Sequence, residues 1–340
     1  MNHTEPTART APDDAERPFA ALTPDAVLHA AERIGLEPDG RLFALNSYEN
    51  RVYRVGRHDA DAVVLKFYRA GRWSDAQILE EHAFATELAA QEIPVAAPLV
   101  LHGTTLNVQG ELRVAAFPMR SGAAPELDRP EARELLGRTL GRIHSVGAVR
   151  PFRLRPTQSG ARLGAAARTA LLRSQFLPEH VQPRYERVSG ELLLAIESAF
   201  AAAAPIAHIR VHGDCHLGNI LWTPQGPVFV DLDDCMNAPR IQDLWMFLSG
   251  NADEQRRQWL DLMEGYLRFS NLDSRELGLI EPLRAARMLN HAAWVAERWR
   301  DPAFPRAFPW MGEARFWEQY TNDLAEQCTL LAEPPLSSLC

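Results

Sequence analysis

Apolar positions in this chain follow two periods. From Arg41 to Met119 they come in short runs with strand periodicity, and beyond Pro130 most recur every three to four residues, as helices require. Ala62-Val63-Val64-Leu65-Lys66-Phe67-Tyr68 is apolar on both alternating faces and reads as a buried strand. Ser74-Asp75-Ala76-Gln77 matches a capping box and predicts a helix running to about Gln91, before the break at Pro94. Its stripe of Ile78, Ala85 and Leu88 places Glu81 on the inner face and Glu80 on the flank. Arg41–Val55 predicts two short strands joined by Asn46-Ser47-Tyr48-Glu49-Asn50, and Leu112–Met119 a last strand entering a hinge. Helices are expected over 130–144, 191–204, 242–248, 255–269, 281–298 and 317–331. The outcome is an α+β protein of two lobes: a mobile tail at 1–22, a small β-rich lobe at 23–118 with one helix, and a large, mostly helical lobe at 119–340. No repeat of fixed period is visible.

Inside the helical part lies an exception. Ile220-Leu221-Trp222 and Val228-Phe229-Val230 flank Thr223-Pro224-Gln225-Gly226-Pro227, which predicts an antiparallel hairpin. If it is symmetric about Gln225, residue 222 pairs with 228, 221 with 229, 220 with 230, and Asn219 faces Asp231. Opposed positions place Cβ atoms about 5 Å apart, close enough for an amide oxygen and a carboxylate to share one hard cation.

Composition narrows the class. The chain has 340 residues, is 46 % hydrophobic and 24 % charged, and scatters its 24 Pro and 20 Gly, so a disordered or collagenous chain is excluded. A net charge of -8 argues against a nucleic-acid partner. Cys215, Cys235, Cys328 and Cys340 show no short paired spacing, consistent with a reducing cytoplasm. Met1–Pro18 lacks the apolar core of a secretory signal, and Leu192–Ala207 is interrupted by Glu197, Ser198 and Pro205, so neither a leader nor a membrane span is expected.

Lys66 is the one lysine; every other basic side chain among the 36 Lys and Arg is arginine. Chance leaves such singletons, but a lone ammonium on a buried strand also suits a site that needs a compact point charge, and burial demands an opposite charge or an anion. Glu81, one helix later on a core-facing stripe, is the simplest partner; on a wider helix it would be an exposed glutamate. The Asn46–Asn50 linker offers backbone N–H groups and the Ser47 hydroxyl to phosphate oxygens, although an ordinary hairpin turn reads the same way.

The most specific run is Val211-His212-Gly213-Asp214-Cys215-His216-Leu217-Gly218-Asn219-Ile220-Leu221-Trp222, followed by Val230-Asp231-Leu232-Asp233-Asp234. A His two residues before an Asp, an Asn five after it and a further Asp beyond is the spacing of a protein-kinase catalytic loop with its first metal-binding carboxylate, with Gly213 replacing the usual arginine. Asp214 can accept a proton from an attacking hydroxyl, and Asp233 joins Asp231 as a metal ligand if the strand continues. Other readings are a zinc site of His212, Asp214, Cys215 and His216, a Cys215 nucleophile beside His216, or a purely structural hairpin. Asp243, expected to open a helix, reads as structural.

At these residues the chain resembles the phosphotransferase family that includes aminoglycoside and choline kinases, a relative of eukaryotic protein kinases. LNSYENRVYRV, VVLKFYR, RWSDAQILEEHAFA, IPVAAP, HGDCHLGNILW and FVDLDDCMNAPRIQDLW, spanning 41–247, closely resemble the bacterial stress response kinase A family of serine/threonine protein kinases. The resemblance implies a two-lobed protein-kinase-like fold. It also implies Asp214 as proton acceptor, Asn219 and Asp231 as magnesium ligands, Ser47 in the nucleotide loop, and Lys66 with Glu81 as the phosphate-orienting pair. A glycine-rich loop and an Asp-Phe-Gly triplet are absent, the latter replaced by Asp231-Leu232-Asp233. Met119 would line an adenine slot, or simply pack. The expected function is transfer of the ATP γ-phosphoryl, with Mg2+, to a Ser or Thr hydroxyl of a protein in a stress response, by a cytoplasmic monomer. The alternatives are a small-molecule hydroxyl kinase and a nucleotide-binding regulator without turnover.

Overall fold

A computed structural model describes residues 19–333, so the tail expected at 1–22 lies almost wholly outside the described residues, as do 334–340. Helix α1 (Pro24–Arg33) comes first, then strands β1 (Pro38–Leu45), β2 (Arg51–Arg57) and β3 (Ala60–Phe67), helix α2 (Asp75–Ala90), and strands β4 (Asn107–Gln109) and β5 (Leu112–Pro118). The strands form one antiparallel sheet in the order β1-β2-β3-β5-β4. Lys66 sits at its centre, opposite Val52 on one side and Ala115 on the other. The small lobe therefore carries two helices rather than one. Thr23 Oγ1 caps α1 by accepting from the Ala26 N–H (3.2 Å), and Val27, Ala30 and Ala31 pack on Val55, Leu65 and Val114 of the sheet.

The expected capping box forms at the start of α2: Ser74 Oγ accepts from the Gln77 N–H, and Gln77 Oε1 accepts from the Ser74 N–H. This helix faces two ways. Ile78 packs with Tyr68 and Ala115 of the sheet, while Phe84, Ala85 and Leu88 enter the large core with Leu136, Phe229 and Leu232. Glu81 lies between the two contacts, so α2 connects the strand of Lys66 to the hairpin region.

The remainder is mostly helical: α3 (Pro130–Gly147), α4 (Ala165–Arg173), α5 (Gln182–Ala203), α6 (Ala252–Tyr266), α7 (Ile280–Glu297), α8 (Ala303–Ala307) and α9 (Ala314–Ala332). Short strands β6 (Ile209–Val211), β7 (Ile220–Thr223), β8 (Gly226–Phe229) and β9 (Met236–Ala238) interrupt this series. A Cβ on Gly137 would lie 1.9 Å from the Leu262 carbonyl oxygen, so glycine lets α3 and α6 touch backbone to backbone. Among the described residues no helix is long and apolar enough to cross a membrane.

Four expectations are corrected. The hairpin turns through two residues, because Thr223 Oγ1 donates to the Gly226 carbonyl (2.9 Å) and Gly226 takes φ 114°, a value that suits glycine. The register moves by one: Ile220 faces Phe229, and the Val230 N–H donates to the carbonyl of Asn219, which is therefore opposed to Val230 rather than Asp231. Beyond β8 the chain leaves the strand. Asp231 adopts a left-handed conformation (φ 58°) and residues 232–234 form a 3-10 turn, so Asp231 and Asp233 share no strand face. The helix expected over 242–248 is two 3-10 turns, Arg240–Asp243 and Trp245–Phe247.

Candidate active site

A cavity of about 520 Å3 opens between the sheet and the hairpin. Ser47, Lys66, Glu81, Met119, Asn219 and Asp231 all line it, although they span more than half of the chain. Leu45, Val52, Val64, Phe117 and Leu221 supply apolar walls around Met119, suited to a flat heterocycle. Asn219 and Asp231 reach this space despite the shifted register, because the left-handed turn at Asp231 redirects its side chain after the ladder has ended.

Lys66 is almost fully buried, with Nζ 2.7 Å from Asp231 Oδ1, 3.1 Å from Asp233 Oδ1 and 4.0 Å from Glu81 Oε1. Its main partner is thus Asp231, and Glu81 stands at the edge of ion-pair range. Burial opposes the ammonium, but Asp231 and Asp233 outweigh it and hold the group protonated. Burial raises the Glu81 carboxyl, and the shared lysine only partly offsets this.

Asp233 is enclosed: besides Lys66 it accepts from Asn50 Nδ2 (3.1 Å) and pairs with Arg72. Burial pushes its carboxyl up, yet Lys66 and Arg72 prevail and bring it down to about 2. Asp233 does not line the cavity: Oδ2 is held by Asn50 and Arg72, and Oδ1 lies 3.1 Å from Lys66 Nζ. Asp234 pairs with Arg72 at 2.5 Å.

The loop carrying Asp214 is fastened from below. Asp243 is fully buried and accepts the N–H groups of His212 (2.6 Å) and Gly213 (2.8 Å); His144 lies 3.1 Å from its Oδ2 and 2.8 Å from the Tyr266 hydroxyl. Asp243 is structural as expected, but it acts by clamping this loop and not at a helix start. Gly213 takes φ 88°, and a Cβ there would strike the Asp234 carbonyl at 2.1 Å, which explains a glycine where kinases usually carry arginine. His212 Nε2 donates to the Val230 carbonyl (2.9 Å) and ties the loop to the segment before Asp231.

Asp214 pairs with Arg287 of α7, and His216 Nε2 lies 3.4 Å from its Oδ2. Burial alone would raise its carboxyl; the His216 and Arg287 contacts reverse this and hold it well below the usual carboxylate range. An ionised, partly exposed carboxylate can accept a proton from a hydroxyl presented to it. Cys215 is fully buried and burial pushes its thiol up, so it is not a nucleophile. With Cys215 inside and His212 on a carbonyl, the four neighbours do not converge as zinc ligands.

Contacts to the Asn46–Asn50 loop escaped the sequence reading. Tyr48 packs its ring against Trp294, Phe304 and Phe308. Glu49 accepts from Trp294 Nε1 (2.6 Å) and pairs with Arg298 (3.1 Å), while Asp301 holds Arg51 (2.6 Å) and Arg69 (2.7 Å). The signal available was Asp301-Pro302-Ala303-Phe304-Pro305-Arg306-Ala307-Phe308-Pro309-Trp310, dense in proline and aromatic residues yet without a period.

Comparisons with known proteins bear on the family and the fold. The model of the phosphotransferase enzyme family matches residues 42–279. Stress response kinase A of Salmonella paratyphi A (strain ATCC 9150 / SARB42) is 44 % identical over 318 residues, covering 94 % of this chain and 96 % of the relative. The serine/threonine protein kinase RdoA of Salmonella typhimurium (strain LT2) is 43 % identical with the same coverage. Among solved structures, amicoumacin kinase hAmiN in complex with AMP-PNP, Ca2+ and Ami superposes with a TM-score of 0.70 at 15 % identity, over 92 % of this chain and 95 % of that one, and shares the fold.

Proposed function

We propose that this chain, which belongs to the phosphotransferase enzyme family and is a kinase, transfers the γ-phosphoryl group of Mg2+-bound ATP to serine or threonine hydroxyls of proteins. The observation that carries the nucleotide part is the convergence of Ser47, Lys66, Glu81, Met119, Asn219 and Asp231 on one cavity, to which Asp214 is joined through its carbonyl on Asn219 Nδ2. Support for the protein acceptor comes from relatives named as stress response and serine/threonine protein kinases.

In this reading the adenine lies against Met119 and the apolar walls, and the phosphates run past Ser47 towards Lys66, whose charge offsets theirs. The donor set suits magnesium: Asn219 Nδ2 is engaged by the Asp214 carbonyl (3.0 Å), leaving its side-chain oxygen available, and Asp231 is 47 % exposed with Oδ1 on Lys66. Two protein oxygens fit a small hard cation that completes its shell with phosphate and water. Among the described residues no group of three or more His, Cys, Asp or Glu offers a closed cage. When bound, Mg2+ would supply neutralisation of phosphate charge. Asp214 accepts the proton as the acceptor oxygen bonds to the γ-phosphorus; the bond from that phosphorus to the β,γ-bridging oxygen breaks, and ADP leaves with the electron pair.

The test is incubation with γ-labelled ATP, Mg2+, a casein-like protein and a panel of amino alcohols, sugars and aminoglycosides. Label in protein Ser or Thr is expected. Label confined to a small molecule overturns the protein acceptor, and label in neither overturns the reading.

A further inference from the structure

Arg287, His291 and Trp294 stand at i, i+4 and i+7 of α7, and Arg298 at its C-cap continues the same face at i+11. The face joins the two halves of the site: Arg287 holds Asp214, while Trp294 and Arg298 hold Glu49 of the Asn46–Asn50 loop. About 10 Å of helix separates residues 287 and 294, and the His291 ring, against Trp310, occupies the interval.

The cations around the cleft differ in what they hold. Lys66, Arg51, Arg69, Arg72 and Arg298 are at most 24 % exposed, whereas Arg287 is 43 % exposed. Its one ion-pair partner among the described residues is Asp214, the group that transfer requires to face a hydroxyl. A hydroxyl presented to the same oxygen competes with this contact. A half-exposed guanidinium released there is free to bind another anion. Asp234, which lies near Asp214, is itself engaged by Arg72 (2.5 Å).

We propose that Arg287 selects the acceptor. The incoming hydroxyl displaces the guanidinium from Asp214, and Arg287 then binds an anionic group, carboxylate or phosphate, carried by the same acceptor close to that hydroxyl. Resting on the protein-kinase reading, this makes the substrate class Ser or Thr in an acidic surrounding. A cationic acceptor meets the Arg287 guanidinium, so amino alcohols and aminoglycosides are disfavoured by the same residue.

The experiment measures kcat/KM on three peptides that differ only in the residues flanking one Ser, two Glu, two Gln or two Lys. The enzymes are the unaltered protein and the Arg287→Lys, Arg287→Gln and Arg287→Glu variants, each checked for an unchanged melting temperature. The unaltered enzyme should favour the Glu peptide over the Lys peptide at least tenfold. Arg287→Lys should keep the order, Arg287→Gln flatten it and Arg287→Glu invert it; if Arg287→Glu does not fold, the Lys and Gln variants decide. Equal losses on all three peptides would instead mean that Arg287 serves the nucleotide or the base, and would overturn the proposal, as would an intrinsic preference for Lys. If no peptide is labelled, the protein-acceptor reading falls separately. The charge preference is then read on glycerate against ethanolamine, where faster transfer to ethanolamine, or transfer to neither, overturns it.

Discussion

The two ends of the cleft each place a cation on a carboxylate of the site, and they do so in opposite ways. Lys66 is buried and surrounded by Asp231, Asp233 and, further off, Glu81. Arg287 is half-exposed and holds Asp214 alone. A buried, multiply satisfied charge is preorganised: it is in place before the phosphates arrive and needs no reorganisation during transfer. A half-exposed, singly paired charge is inexpensive to move, which suits the side of the site where acceptors come and go. In the proposed reading the nucleotide end is built into the fold and the acceptor end yields.

The strongest way to break this contrast is at the base. Asp214→Asn keeps the shape and Arg287 within reach but removes the proposed proton acceptor, so kcat should fall about 10³-fold while nucleotide affinity remains. Single-turnover kinetics beside a nucleotide titration measure both, and near-normal turnover would remove Asp214 from its role. At the other end, Lys66→Met leaves Asp231 and Asp233 facing each other without their shared cation. Breaking a buried pair by removing one member typically costs about 3–5 kcal/mol, so urea unfolding should show a loss of that order as well as lost transfer. A stable Lys66→Met protein would mean that Arg72 alone satisfies Asp233.

How these residues could be anticipated depends on the range of the signal. Lys66, Glu81, Asp214 and Asn219 sit within local patterns, a buried strand, a capped helix and a fixed loop spacing, and those patterns survive folding. Asn219 and Asp231 were expected to meet as opposed partners in a ladder; they share the cavity because of a left-handed turn at Asp231, whose φ no apolar pattern encodes. The register failed at one point, where a connection that could have been five residues closed to two through the Thr223 hydroxyl. The clamps from Asp301 and Trp294 join positions 232 to 250 residues apart, and Arg287 meets Asp214 across 73. Such pairs leave no periodic trace. The fold class was legible because it follows from local periods, whereas the acceptor side was not, because it is made of long-range contacts on a helix whose own pattern only says that it is amphipathic.

Acid sharpens the contrast without altering a residue. Burial would raise the Asp233 carboxyl, but Lys66 and Arg72 lower it to about 2, below an unfolded value near 3.9. A carboxyl depressed in the folded state contributes stability that is fully present above the unfolded value and lost as pH falls through the folded one. Glu49 and Asp301, lowered by their arginines against the effect of burial, act with the same sign. Stability should therefore decline between about pH 4 and 2, with Asp233 accounting for about 2–3 kcal/mol. Denaturant midpoints at stepped pH measure this, and Asp233→Asn should flatten the profile; an unchanged slope would mean that the Lys66 cluster does not hold Asp233 as the contacts imply.

The smallest expected effect tests the yielding end. Arg287 and Asp214 also form an ion pair, but with the guanidinium 43 % exposed, water screens the attraction and hydrates whichever partner is left. Arg287→Met should cost no more than about 1 kcal/mol in urea unfolding, several-fold less than Lys66→Met. The same substitution removes a charge that lowers the Asp214 carboxyl, so the acid limb of kcat/KM should move to higher pH while stability hardly changes. A large stability loss would put Arg287 with Lys66 as part of the built-in framework, and a guanidinium fixed so firmly could not leave the base when a hydroxyl arrives.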